Sequence, residues 1–174
     1  MHSRIFELKN DKNAVNDLTE SSIDYGTMQM HGIDYVAKMD HNEIADSVDW
    51  LAGCYRNSVT IDTATNELRF TDVKALMKQS FAEFQEVLKI LSTMTIDDFI
   101  EEYHTDPTTG QINNPLSSIS FNMYRLKTAY EDESGFYIYT EENGLQTING
   151  FVRTFIGDIT KQTFYIGNVL DYHC

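Results

Sequence analysis

The chain has 174 residues, of which 41% are hydrophobic, and its 27 acids against 13 bases give a net charge of −14. That apolar content, with ten Phe and ten Tyr, excludes intrinsic disorder and allows one hydrophobic core. Without clustered Lys or Arg the chain has the wrong sign for binding phosphates or an anionic membrane surface. No apolar run reaches the roughly 18 residues of a membrane span.

Met1 to Lys9 lacks the apolar region of a secretion signal. Within it, Ile5 to Leu8 reads as a short strand. The polar stretch from Asn10 to Ser22 is ambiguous, with Ala14, Val15 and Leu18 marking one weak helical turn or two. Ile33 to Ala37 reads as a strand, with Ile33, Tyr35 and Ala37 on one face. Asp40 is placed to cap a helix, and Glu43 three residues on completes a capping box. Ile44, Val48, Leu51 and Tyr55 then form a core-facing stripe that ends near Gly53 to Asn57, while Glu43, Asp46 and Asp49 recur every three residues on another side. Cys54 reads as a small apolar residue within this helix.

Val59 and Ile61, then Leu68 and Phe70, alternate with polar residues around a turn at Asp62 to Asn66, the pattern of a hairpin. Thr71 caps the longest helix, whose stripe runs through Val73, Leu76, Met77, Ser80, Phe84, Val87, Leu88 and Leu91. Thr95 caps the next helix, with Ile96, Phe99, Ile100 and Tyr103 as its expected buried face. Asp97, Asp98, Glu101 and Glu102 lie on the wet face. Asp106 to Gly110 is a loop. Asn114-Pro115 opens a helix through Leu116, Ile119, Met123, Leu126 and Tyr130; Ile119, Phe121 and Met123 also alternate as a strand would. After Gly135 the texture is β: Phe136 to Thr140, an Asn143-Gly144 turn, Leu145 to Ile148, an Asn149-Gly150 turn, Phe151 to Ile156 and Thr163 to Leu170. The expected architecture is a single α+β domain over residues 1–174. Central helices pack on an antiparallel sheet, a C-terminal β-meander follows, and a subdivision is expected near 110–135.

Two features could carry metal chemistry. Glu101 and His104 form a Glu-x-x-His pair, which on one helix puts both side chains on a common face, as in carboxylate-bridged bundles. No second such pair accompanies it. His41, Glu43, Asp46 and Asp49 are hard ligands, but acids on one exposed helix do not converge on an ion. The loop Asp106 to Asn114 lacks the ligand pattern of a calcium-binding hand. Asp171-Tyr172-His173-Cys174 is chemically rich but terminal, a poor place to hold a catalytic pair. Tyr137, Tyr139, Phe151, Phe155, Phe164 and Tyr165 are read as packing residues rather than a base-stacking platform, because Arg153 and Lys161 are the only bases near them. No cofactor motif is present. Cys54 and Cys174 do not make a disulfide framework, no Asn-x-Ser/Thr acceptor occurs, and a reducing cytoplasm is expected.

The arrangement of charge says more. Four windows contain no base: Lys12–Lys38 encloses Asp17, Glu20, Asp24 and Asp34. Lys38–Arg56 encloses Asp40, Glu43, Asp46 and Asp49. Lys89–Arg125 encloses Asp97, Asp98, Glu101, Glu102 and Asp106. Lys127–Arg153 encloses Glu131, Asp132, Glu133, Glu141 and Glu142. A charge run is usually a solvated face. Segregation on helix faces, however, suits docking on a basic protein. The expected function is therefore a non-enzymatic acidic binding protein. Its basic partner would be one that handles nucleic acid, and the role inhibitor or immunity protein, including a DNA-mimicking form. The contacts would be Asp40, Glu43, Asp46, Asp49, Asp97, Asp98, Glu101 and Glu102. A small metal-dependent hydrolase using Glu101 and His104 is the alternative. The third reading is an accessory protein, acidic only for solubility, that pairs as a homodimer through its aromatic sheet.

Overall fold

A computed structural model describes residues 2–30, 33–100, 104–105, 108–109, 112–113, 119–131 and 136–173. The chain divides into two compact units, Met1–Met77 with Glu133–Cys174, and Lys78–Asp132.

The first unit is built on strands β1 (His2–Lys9), β2 (Tyr35–Lys38), β3 (Val59–Asp62), β4 (Glu67–Phe70), β7 (Phe136–Thr140), β8 (Gly144–Thr147) and β9 (Phe164–His173). Strands β5 (His104–Thr105) and β6 (Ile112–Asn113) pair with each other in the second unit. The seven strands of the first unit form one sheet: six run in the order β3-β4-β9-β1-β7-β8, and β2 pairs with β9 off that path. β9 carries β4 at its start and β2 at its end, along the edge away from β1. All pairs are antiparallel except β1 with β7, where Arg4 to Glu7 align with Phe136 to Tyr139.

β1 lies between two neighbours and is buried on both faces, so its apolar residues run almost without interruption. Phe6 and Leu8 join Phe136, Ile138, Phe164, Ile166 and Val169 in one cluster. It is covered by α2 (His41–Cys54), the start of α3 (Val73–Ser92) and α6 (Ile148–Thr154) through Val48, Leu51, Leu76, Ile148 and Phe151. Ile5 points the other way and clusters with Tyr137, Leu170 and Tyr172 beneath Leu18, Ile23 and Ile33. That second layer is supplied by a 3-10 turn (Glu20–Ser22), α1 (Tyr25–Met30) and the segments around them. Aromatic rings fill the first cluster: Phe151 and Phe155 meet Phe164 at centroid distances of 5.4 and 5.6 Å.

A β-bulge explains how β9 serves both clusters. Phe6 pairs with Val169 but Leu8 with Ile166, so Gly167 and Asn168 together oppose Glu7. The extra residue reverses the side-chain alternation: Phe164 and Ile166 precede the bulge and Val169 follows it, all on one face. Glu7 is buried at the bulge, 3% exposed. Its Oε1 accepts the backbone N–H groups of Asp17 (2.6 Å) and Leu18 (3.2 Å), and its Oε2 accepts that of Asn168 (2.7 Å). The Asn168 side chain donates to the Leu18 carbonyl and accepts from Asn16. Lys9 donates to the Ala14 carbonyl and to Asn16. One carboxylate thus ties the loop of residues 10–18 to the bulge. Gly167 is required there, because a Cβ would lie 2.3 Å from Glu7 Oε2 and 2.9 Å from Asn16 Oδ1.

The second unit continues α3 and adds α4 (Ile96–Ile100) and α5 (Ile119–Glu131). The Arg125 guanidinium lies 3.4 Å from Glu83 and 3.8 Å from Glu86, and the Phe84 and Tyr130 rings are 6.2 Å apart, so α5 packs along α3.

The α+β class, the caps of the helices after Asp40 and Thr95 and the β3–β4 hairpin follow the sequence pattern. The cap of α3 is Asp72 rather than Thr71: its Oδ1 accepts the Ala75 N–H at 2.9 Å. Three further elements differ. Residues 148–154 are helix, where the Asn149-Gly150 dipeptide suggested a turn and Phe151 to Ile156 a strand. Thr147 caps that helix by accepting the Gly150 N–H at 3.1 Å, and Ile148, Phe151, Val152 and Phe155 recur at helical spacing. Ile96, Phe99 and Ile100, expected in the core, are exposed. Tyr35 is also exposed, while Ile33 on its expected face is buried. The Asn114-Pro115 start, Tyr103, Gly135 and most of the 106–114 loop lie outside the described residues. The 119–131 segment is helical, not extended.

Candidate docking site

The N-terminus of α2 uses Asp40 and Glu43 structurally. Asp40 Oδ1 accepts the N–H groups of Asn42 and Glu43 at 2.8 and 3.0 Å, and Glu43 Oε2 accepts the Asp40 N–H at 2.7 Å. These acids satisfy orphan donors at the positive end of the helix dipole. Asp46 and Asp49 are exposed, and neither makes an ion pair among the described residues. At 100° per residue, Glu43, Asp46 and Trp50 fall on one flank of α2. Ile44, Val48 and Leu51 face the core.

Trp50 is the residue sequence reasoning missed. The chain has one Trp, and it stands 45% exposed. Its ring packs against Phe136 at a centroid distance of 4.5 Å, and the Arg4 guanidinium sits 5.8 Å from its centre. Arg4 is itself held by Ser47 Oγ at 2.9 Å and by an ion pair with Asp171. The signal was present: position 50 lies off the Ile44-Val48-Leu51-Tyr55 stripe, so a ring there is not needed by the core. What results is a fixed, half-exposed indole beside carboxylates. Such a ring loses little conformational freedom on contact with a partner. Cys54, four residues further on, is a free, exposed cysteine.

The other acids are placed elsewhere. Asp97 and Asp98 lie on α4 in the second unit, whereas Asp40 to Asp49 lie in the first. Asp98 Oδ2 accepts both the N–H and the hydroxyl of Thr95, a second capping box. Glu101 and Glu102 lie outside the described residues. His104 lies in β5. Among the described residues, no three His, Cys, Asp or Glu side chains are grouped to hold a metal ion. His173 Nδ1 meets Asp34 Oδ2 at 3.1 Å and its ring stacks on Tyr35, while Cys174 lies outside the described residues. Tyr137, Phe151 and Phe164 are buried, which uses those rings for packing.

A cleft of about 230 Å³ opens in the first unit between the 10–18 loop and the β7–β8 turn. Asp11, Asp17, Glu141 and Glu142 are among its walls, with Phe155 and Phe164. Lys9 also lines it, but its ammonium is bound by Asn16 and Ala14.

Two exposed carboxylates are held acidic by their turns. Asp24 titrates below its ordinary 3.8 because it accepts the Thr27 backbone N–H and hydroxyl. Asp158 does so because it accepts the Thr160 hydroxyl, with Lys161 adjacent. Both stay charged wherever the protein is folded at neutral pH.

No protein-family model matches the chain, and neither a curated protein nor a solved structure is significantly similar to it. Among the described residues, no helix is long and apolar enough to cross a membrane.

Proposed function

We propose that the chain is a non-enzymatic binding protein that docks its α2 face on a basic surface of another protein. The observation that carries this reading is Trp50, half-exposed and wedged between Phe136 and Arg4, with Glu43 and Asp46 on its flank and Asp49 next to them. The ring supplies an anchor of the kind that dominates interface energetics. The acids steer an Arg- or Lys-rich partner and set register. Carboxylates three residues apart on a helix step by about 4.5 Å. A partner with a nucleic-acid cleft meets phosphates about every 1.7 Å of duplex axis. An inhibitor or immunity role, including partial imitation of DNA, is the form this reading takes.

The test uses wild type, Trp50→Ala and Asp46→Asn/Asp49→Asn as baits for a basic protein fraction of the host. The expected result is a basic protein retained at low salt by wild type, released as salt rises, and bound about tenfold or more weakly by Trp50→Ala. Removing two of fourteen net charges barely alters bulk ion exchange. Equal retention by all three baits would therefore mean non-specific binding and end the proposal.

A further inference from the structure

We infer that the exposed apolar face of α4 is a second docking site, and that its occupant is a cationic amphipathic segment of another protein. Ile96, Phe99 and Ile100 are 69%, 69% and 71% exposed. At 100° per residue they share one side of α4, and Asp97 and Asp98 take the other. Large apolar side chains grouped in water mark a contact surface more often than chance. This is an unusual concentration, because Phe81, Leu88, Met123, Tyr124 and Tyr130 of the same unit are also exposed.

The charge around the stripe selects the occupant. From Ile90 to Tyr124 the chain has no Lys or Arg. Of the bases that flank this stretch, Lys89 is exposed in the last turn of α3, Arg125 faces Glu83 and Glu86, and Lys127 lies 3.8 Å from Glu131. A helix that lies on an anionic membrane needs Lys or Arg on its polar side, and here that side is Asp97 and Asp98. A second copy would bring another −14 to the contact. A segment with apolar residues along one side and Lys or Arg along the other satisfies both halves of the face. This site stands apart from the Trp50 reading: the two faces belong to different units, and either can fail alone.

The test measures fluorescence anisotropy of a labelled synthetic amphipathic leucine–lysine peptide with the full chain. Wild type should bind, more tightly at low salt. Ile96→Ser/Phe99→Ser should weaken binding about tenfold. Asp97→Asn should weaken it a few-fold and flatten the salt dependence. Trp50→Ala should leave it unchanged, which separates this site from the α2 face. A peptide with Glu in place of Lys should not bind. The substituted residues are exposed, so thermal melts should coincide with wild type, and Ile100→Ser alone provides a milder second variant. The inference is overturned if the serine variants bind the peptide as wild type does. It is also overturned if light scattering shows a dimer that Phe99→Ser splits, since a second copy would then be the occupant.

Discussion

Phe6 and Phe99 have the same side chain and opposite surroundings. Phe6, on β1 of the first unit, is 0% exposed among Ile138, Phe151, Phe164 and other rings and aliphatics. Phe99, on α4 of the second unit, is 69% exposed between Ile96 and Ile100. The contrast extends to both units. The sheet unit has two hydrophobic clusters, one on each face of its central strand. In the 78–132 unit, Val87 and Ala129 are the buried hydrophobic residues among those described. The first unit has the burial that stabilises a fold, and the second keeps much of its apolar surface on the outside, where it is available for contact.

The largest effect should come from Phe6→Ala, which removes a ring from the closed cluster and should destabilise the protein by about 3–5 kcal/mol in urea unfolding. Phe99→Ser should fall within about 0.5 kcal/mol of wild type in the same experiment. A cost for Phe99→Ser approaching that of Phe6→Ala would break the comparison.

Next in size is Glu7→Gln. The amide keeps one accepting oxygen but turns an NH₂ group toward a backbone N–H. The expected loss is about 2–3 kcal/mol, with faster hydrogen exchange at Asp17, Leu18 and Asn168. Gly167→Ala acts on the same bulge from the other side by forcing a methyl group toward the Glu7 carboxylate, and should cost about 1–2 kcal/mol. If Glu7→Gln relieves part of the Gly167→Ala penalty in a double-mutant cycle, the two residues are coupled as the geometry requires.

The smallest effect is acid sensitivity in the first unit. The folded pKa values of Asp24 and Asp158 lie below the ordinary 3.8. A depressed folded value means that each group stabilises the fold above pH 3.8 and loses that contribution as pH falls through its folded pKa. NMR titration should place both below 3.8. Thr160→Val should raise the Asp158 value toward 3.8, because the Thr160 hydroxyl is its principal donor. Thr27→Val should move Asp24 less, because the Thr27 backbone N–H, its principal donor, remains.

Local chemistry was legible in the sequence wherever a short pattern decides the outcome. Asp40 with Glu43 reads as a capping box and forms one, and Thr95 reads as a cap and accepts the Asp98 N–H. The long stripe from Val73 to Leu91 is a continuous helix. α6 was misread because Asn149-Gly150 also suits a tight turn, and the Thr147 cap decided the competition. The face of α4 was misread for a different reason: amphipathicity locates an apolar side but not what, if anything, covers it. The candidate site was half legible. Acids spaced along α2 were visible, but the support given to Trp50 by Phe136 and Arg4 depends on residues far apart in sequence. The parallel pairing of β1 with β7 has no local signature at all.

That pairing constrains the order in which the molecule assembles. β1 is synthesised well before β7 and β9, its flanking strands, so it has neither neighbour while residues 10–135 are being made. Ile5 and Phe6 must wait in water, or with a chaperone, for most of translation. The sheet closes through contacts of long sequence separation, which slows folding. Production in cells should accordingly improve when holdase chaperones are abundant, and a nascent chain stalled before residue 136 should bind them through β1.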